Sequence, residues 1–134
     1  MAEGGGSSSE LPDNLRFHTF ATLARKLEAD HEELVEFLAV TLAHALPDAV
    51  RVERLGLLRS RKVSAVEVLL GQRQYELHVR HGRVDTVIAQ VVGGVVLRHD
   101  PAPVDAWVEG LLSDLERMAT RSEASRAALE RLFR

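Results

Sequence analysis

Between Val50 and His99 the chain alternates apolar and polar residues in short runs. Such alternation is typical of β-strands, whose successive side chains point to opposite faces of a sheet. Gly71-Gln72, His81-Gly82 and Gly93-Gly94 separate the runs, and two-residue hairpin loops of this kind favour glycine because it adopts a positive φ at little cost. The sequence therefore predicts a five-stranded antiparallel β-meander over residues 50–99.

These loops also predict which residues lie opposite each other. The first loop places Val68 opposite Tyr75, and the last places Ile88 opposite His99. The apolar residues then share one face, called here the inner face, as a consistent register requires. The predicted inner face comprises Val66, Val68, Leu70, Tyr75, Leu77, Val79, Val84, Ile88, Val92, Val95 and Leu97.

The opposite face of the meander, called the outer face, divides into two parts. One part is polar and carries Glu67, Gln74, Glu76, His78 and Arg80. The other part is apolar and carries Val87, Ala89, Val91 and Val96. Because a sheet face in water is normally polar, the apolar last hairpin indicates that a helix or a second subunit covers it.

The first predicted strand, residues 50–58, changes phase along its length. Strict alternation cannot place Val52 and Leu55 on the same face. A β-bulge inserts one residue and restores the phase, and we expect it near Arg54 or Gly56.

Helical patterns flank the meander. Residues 13–46 predict one bent helix or two, because Pro47 ends the stretch and Asp30 with Glu33 fits an internal capping box. A long C-terminal helix is predicted over residues 104–133. We therefore predict an α+β fold with an N-terminal helix or helix pair, a five-stranded meander and a long C-terminal helix.

The C-terminal helix has the most regular spacing in the chain. Its seam steps alternately by four and three residues from Val104 to Leu132, which is a heptad pattern. About thirty helical residues would extend roughly 45 Å, whereas an eight-residue strand spans only about 27 Å. The helix should overhang the sheet and dimerise, because exposed apolar positions mark a partner surface. The predicted homodimer interface comprises Leu115, Met118, Leu129, Leu132, Phe133, Val87, Val91 and Val96.

Length and composition indicate a single domain over residues 11–134, preceded by a Gly/Ser-rich tail over residues 1–10 that we expect to be disordered. Cysteine is absent, which excludes disulfides, thiolate metal sites and cysteine nucleophiles. The chain has no signal-peptide pattern and no apolar run long enough for a bilayer, so we expect a cytoplasmic protein without membrane contact.

Charge is unevenly distributed. Residues 1–49 have nine acidic and three basic residues, whereas residues 50–99 have four acidic and nine basic. Attraction between acidic helices and a basic sheet explains this asymmetry most simply. The alternative is a basic patch for an acidic partner, formed by Arg51, Arg54, Arg59, Arg61 and Lys62. Nucleic acid is not favoured, because sheet-based readers stack bases on aromatic residues and this sheet offers only an inward Tyr75.

The best candidate for catalytic or ligand-binding chemistry is a polar cluster of His78, Asp85 and Arg80 on the outer face. The register places Asp85 opposite His78, where a carboxylate would orient the imidazole as a general base requires. Such cross-strand pairs also stabilise ordinary sheets. The histidines at positions 18, 31 and 44 recur every thirteen residues and do not converge on one helix face. We expect neither a metal nor a cofactor.

The predicted layout is similar to that of small dimeric secretion-chaperone-like proteins, which also flank a sheet with helices. Those proteins have a helix in the middle of the sheet sequence that this chain lacks, and no motif residues match. The leading hypothesis is a non-enzymatic protein–protein interaction module, adaptor or chaperone-like, that acts as a homodimer on an unidentified protein partner. The alternatives are a small ligand-binding protein or enzyme at His78 and Asp85 and, more weakly, nucleic-acid binding through the basic first hairpin.

Overall fold

The structure, a computed structural model, describes residues 22, 24–25, 31–56, 61–119 and 121–133. The elements in these ranges are α1 (His31–Ala45), β1 (Val50–Leu55), β2 (Lys62–Leu70), β3 (Arg73–Arg80), β4 (Arg83–Val92), β5 (Val95–Pro101), α2 (Val104–Ala119) and α3 (Glu123–Leu132). The five strands form one antiparallel sheet in sequential order. The predicted α+β fold with its five-stranded meander is therefore confirmed.

The register of the three central strands is also as predicted. Val68 lies opposite Tyr75, and Leu77 lies opposite Thr86. At the last loop Gly93 and Gly94 both have a positive φ, 58° and 81°, which suits the twist of a two-residue hairpin. The loops thus define the pairing next to them, as the sequence indicated.

The pairing of β4 with β5 differs from the prediction beyond the loop. Val91 faces Val96, but Gln90 faces Arg98, so Leu97 is an extra residue in a β-bulge. An extra residue moves every later side chain of the strand to the other face. His99 therefore lies opposite Ala89 on the outer face, and its predicted place beside Ile88 on the inner face is wrong.

A second bulge lies between β1 and β2. The register shifts between Glu53 and Arg54, where the sequence predicts a bulge, but the extra residue is Ser64 of β2. The Ser64 hydroxyl donates a hydrogen bond to the Glu53 carbonyl at 3.2 Å. Because β1 itself keeps its alternation, Arg54 points toward α1 and Leu55 is 70% exposed.

The helices pack with the inner face in one hydrophobic core. Trp107 of α2 is fully buried, and its ring meets that of Tyr75 edge-on at a centroid distance of 6.1 Å. The Trp107 indole N–H donates to the Val87 carbonyl at 3.2 Å. Gly110 permits α2 to lie close to Tyr75, because a Cβ at this position would lie 3.2 Å from the Tyr75 ring. Trp107 thus anchors α2 over the sheet.

The C-terminal segment forms two helices where the heptad pattern predicts one. Helix α2 ends at Ala119, and Ser122 begins α3 as its N-cap, with its hydroxyl oxygen accepting from the Ser125 N–H at 3.2 Å. Serine is a strong N-cap residue because its side chain satisfies an amide that the helix leaves unpaired. The chain therefore turns here, and α3 packs against α1 and α2.

This turn corrects the predicted overhang. Leu115, Leu129 and Leu132 are 0%, 7% and 5% exposed within the single chain, and Met118 and Phe133 pack against the same core. These five side chains of the predicted dimer interface are used by the chain's own fold. Helix α3 therefore completes the core with residues that were predicted to extend beyond the sheet.

The N-terminal helical stretch is described in part. Helix α1 lies within the predicted residues 13–46, and Ala24 is helical and buried in the same core. The capping residue Asp30 of the predicted internal capping box and the tail over residues 1–10 lie outside the described residues. Among the described helices, none combines the length and the apolar character needed to cross a bilayer.

Candidate functional site

The last hairpin presents the most prominent apolar surface among the described residues. Val92, Val95, Val96 and Leu97 are 41%, 59%, 44% and 57% exposed and surround the loop and the bulge. We call these four residues the hairpin patch. Val92 and Val95 are cross-strand partners on one face of the hairpin, and Val96 lies opposite Val91 on the other face. Exposed apolar side chains that cluster in this way are typical of contact sites.

Strand β5 carries most of this patch at the edge of the sheet, and all seven of its residues are exposed. An edge strand with unpaired backbone groups promotes aggregation, and β-bulges and prolines in the edge strand limit it. Here the Leu97 bulge interrupts the row of backbone groups, and Pro101 has no N–H to donate. The patch therefore offers side-chain packing more than extended backbone pairing.

The three strand residues of the predicted interface lie in or beside this region. Val96 belongs to the hairpin patch and is 44% exposed. Val91 lies opposite Val96 and is buried, and Val87 is half-buried where its carbonyl receives the Trp107 N–H. Val96 is thus the most exposed of the three strand residues predicted for the interface.

A polar cluster on the outer face surrounds Glu76, which is only 7% exposed. The Gln74 side-chain amide donates to the Glu76 carboxylate at 2.9 Å. His78 Nε2 lies 3.5 Å from one carboxylate oxygen, and His99 Nε2 lies 3.4 Å from the other. The sequence missed this arrangement because the bulge brings His99 to the outer face, and alternation alone gives no sign of that bulge.

The three residues of the predicted polar cluster do meet at one feature. His78 and Asp85 are cross-strand neighbours, and with Arg80 they line an open groove of about 730 Å³. The groove exists because β5 ends at Pro101, opposite Val87, and leaves the beginning of β4 uncovered. The His78 imidazole contacts Glu76, so the geometry does not make Asp85 the partner of a general base.

Two hydrogen bonds join residues on the two sides of this groove. The Ala102 N–H donates to the Thr86 carbonyl at 3.0 Å, and the Thr86 hydroxyl donates to the Ala102 carbonyl at 2.6 Å. These bonds hold the segment between β5 and α2 against β4. The groove wall is therefore fixed, with polar side chains on one side and prolines on the other.

Three of the four described residues of the predicted basic patch are paired with acidic residues. Arg54 donates two hydrogen bonds to Glu36 at 2.9 and 2.7 Å, and Lys62 donates one to Glu32 at 3.0 Å. Arg51 lies 3.8 Å from Glu67, Arg61 is exposed, and Arg59 lies outside the described residues. These contacts support attraction between acidic helix and basic sheet as the origin of the charge asymmetry.

The Arg54–Glu36 pair predicts a dependence of stability on acid pH. The hydrogen bond from Arg54 lowers the pKa of Glu36 below its ordinary value of 4.5. Because the pKa of Glu36 is lower in the folded state, the ion pair stabilises the fold fully above the ordinary pKa of 4.5. This contribution is lost as pH falls through the folded-state pKa. Glu36→Gln should reduce the unfolding free energy by about 0.5 kcal/mol at pH 7, a small effect because solvent screens a pair this exposed.

Urea unfolding of wild type and Glu36→Gln at pH 7 and pH 3 measures this effect. The two proteins should differ at pH 7 and converge at pH 3. The control is Glu33→Gln, which changes an exposed glutamate of the same helix with no ion pair in the described part of the chain. Equal losses for the two variants at pH 7 would contradict the assignment.

The described residues contain no group of three His, Asp or Glu side chains placed to hold a metal ion. Comparison of the chain with protein-family models, with curated proteins and with solved structures finds no significant match.

Proposed function

We propose that this protein is a non-enzymatic protein–protein interaction module that acts as a homodimer through the hairpin patch. The observation that carries the proposal is the run of four large apolar side chains, each more than 40% exposed, at one edge of the sheet. A second copy of the chain presents the same surface, and a two-fold axis joins identical patches without any other partner.

The size of the patch predicts a reversible dimer. Full burial of a large aliphatic side chain contributes about 1.5–3 kcal/mol, so covering one that is already half-buried contributes roughly 1 kcal/mol. Two protomers with four such residues each would gain roughly 8 kcal/mol. Association costs at least about 4 kcal/mol in lost translational and rotational freedom. The net gain of at most about 4 kcal/mol corresponds to a dissociation constant of about 1 mM or weaker, so we expect a dimer whose population depends on concentration in the millimolar range.

Leu97→Glu tests this proposal directly. A charge within the patch should weaken dimerisation by at least about 100-fold, because the dimer would have to desolvate two carboxylates. Sedimentation velocity over a range of concentrations measures the change. The matched control is Leu55→Glu, which places the same charge at an exposed leucine on β1, the opposite edge strand.

Each outcome decides between surfaces. Loss of the dimer in Leu97→Glu, with a wild-type dimer in Leu55→Glu, supports the hairpin patch. A wild-type protein that is monomeric at the highest concentration would contradict the homodimer. A dimer unaffected by Leu97→Glu would place the contact on another surface.

Binding of a small polar ligand in the groove is the second candidate function. It is supported by the meeting of His78, Arg80 and Asp85 along one fixed groove. A ligand there should protect the backbone amides of β4 beyond the end of β5, and Arg80→Ala should abolish that protection. Unchanged amide exchange in the presence of a panel of small polar metabolites would count against it.

A further inference from the structure

A separate cavity of about 400 Å³ lies at the junction of α2 and α3 and opens beside the loop between β2 and β3. We call it the junction cavity. Three of its lining residues are arginines, namely Arg73 of β3, Arg117 of α2 and Arg121 between the helices. Residues distant in sequence thus bring three positive charges to one concave surface.

A buried carboxylate positions two of these arginines. Asp114 is only 3% exposed and accepts a hydrogen bond from the buried Tyr75 hydroxyl. Burial raises the pKa of Tyr75, so its hydroxyl stays protonated and donates. Arg73 lies 3.6 Å from one Asp114 oxygen, and Arg117 contacts the other. A buried carboxylate needs such partners, and here it fixes two guanidinium groups whose side chains are 55% and 64% exposed.

The third arginine leaves the cavity with excess positive charge. Among the described residues Arg121 has no carboxylate partner, and it is exposed at the cavity wall. Three arginines around a single aspartate give a net charge of two positive units. The nearby carboxylate of Glu123 pairs with Arg126.

The N-terminus of α3 adds to the same field. Its N-cap, Ser122, lines the cavity. The first N–H groups of a helix have no intrahelical acceptor and carry partial positive charge. The cavity therefore combines side-chain charge, a helix terminus and a fixed geometry, and each of them favours an anion.

We propose that the junction cavity binds a phosphate group, as inorganic phosphate or as part of a small phosphate ester. The planar guanidinium donates paired hydrogen bonds that match phosphate oxygens. A phosphate dianion also matches the net charge of the lining. This site is distinct from the hairpin patch and does not depend on dimerisation.

Inorganic phosphate is the probe for the test, with chloride used to hold the ionic strength constant because screening weakens such contacts. Two-dimensional NMR follows the arginine side-chain N–H groups and the backbone amides of Glu123 and Ala124. We expect saturable shifts at these positions with a dissociation constant of about 1 mM or lower. Acetate should bind at least about tenfold more weakly, because it carries one charge.

Arg121→Gln is the decisive variant, since Arg121 is exposed and its loss leaves the Asp114 contacts in place. Phosphate affinity should fall about tenfold, and Arg121→Lys should recover part of it. The control is Arg83→Gln, an exposed arginine at the start of β4 that does not line the cavity. Phosphate affinity of this variant should equal that of wild type.

Shifts that do not saturate, an equal response to acetate, or unchanged affinity in Arg121→Gln would each overturn the proposal. A phosphate ester that binds more tightly than inorganic phosphate would identify the physiological form as an ester.

Discussion

A chain that ends at Ser122 is expected to lose most of its stability. The deletion removes α3, whose Ala128, Leu129 and Leu132 are buried against the rest of the core. Truncating one buried leucine to alanine costs about 2–5 kcal/mol. Removing two buried leucines together with the helix should cost more than about 5 kcal/mol, which is comparable to the whole stability of a small domain.

Urea unfolding followed by far-UV circular dichroism measures this loss. Leu129→Ala should shift the transition midpoint by an amount equivalent to about 2–4 kcal/mol. The control is Arg131→Ala, an exposed position of the same helix, which should change stability by less than about 0.5 kcal/mol. A truncated chain with a wild-type transition would mean that α3 projects from the domain, as the heptad seam predicts.

The contrast between the heptad and the meander shows what the sequence could predict. Hairpin register follows from local chemistry, because glycine loops define the pairs beside them and alternation extends those pairs along the strands. The central strands therefore follow the prediction. The last hairpin departs from it where Leu97 is inserted, and no residue type there signals a bulge.

The helix break has a local signal that the spacing obscured. Ser122 and Ser125 occupy seam positions, so the four-three pattern continues through them. Yet the Ser122 hydroxyl caps α3, and serine favours such caps over helix interiors. When a seam position is polar and a strong N-cap, capping chemistry predicts the structure better than spacing.

The candidate sites depended on tertiary structure to different degrees. Neighbours across β3 and β4, such as His78 and Asp85, were predictable because the loop defines their pairing. The junction cavity was not predictable, because Arg73 and Arg121 belong to different elements that only the packing of α2 brings together. In the sequence Asp114 resembles any other polar helix residue, because its contact with the buried Tyr75 hydroxyl depends on the tertiary structure.

Trp107→Ala is expected to be the most destabilising single substitution. The side chain is 1% exposed, and its ring contacts Tyr75 edge-on at the centre of the core. Replacing a buried tryptophan with alanine costs about 3–5 kcal/mol, because the cavity left behind collapses only partly. Val40→Ala is the control, since Val40 is 53% exposed on α1 and should contribute less than about 0.5 kcal/mol.

Trp107→Phe separates ring packing from the hydrogen bond. Phenylalanine keeps an aromatic ring but cannot donate to the Val87 carbonyl, so we expect a loss of about 1–2 kcal/mol from the missing bond and the smaller ring. Circular dichroism is the appropriate probe, because Trp107 is the single tryptophan of the chain and its fluorescence disappears with it.

Val87 belongs to β4, the strand that leads into the hairpin patch. Amide exchange in Trp107→Phe should therefore accelerate in β4 and β5 more than in β1 and β2, and equal acceleration in all four strands would show that the hydrogen bond has no local role.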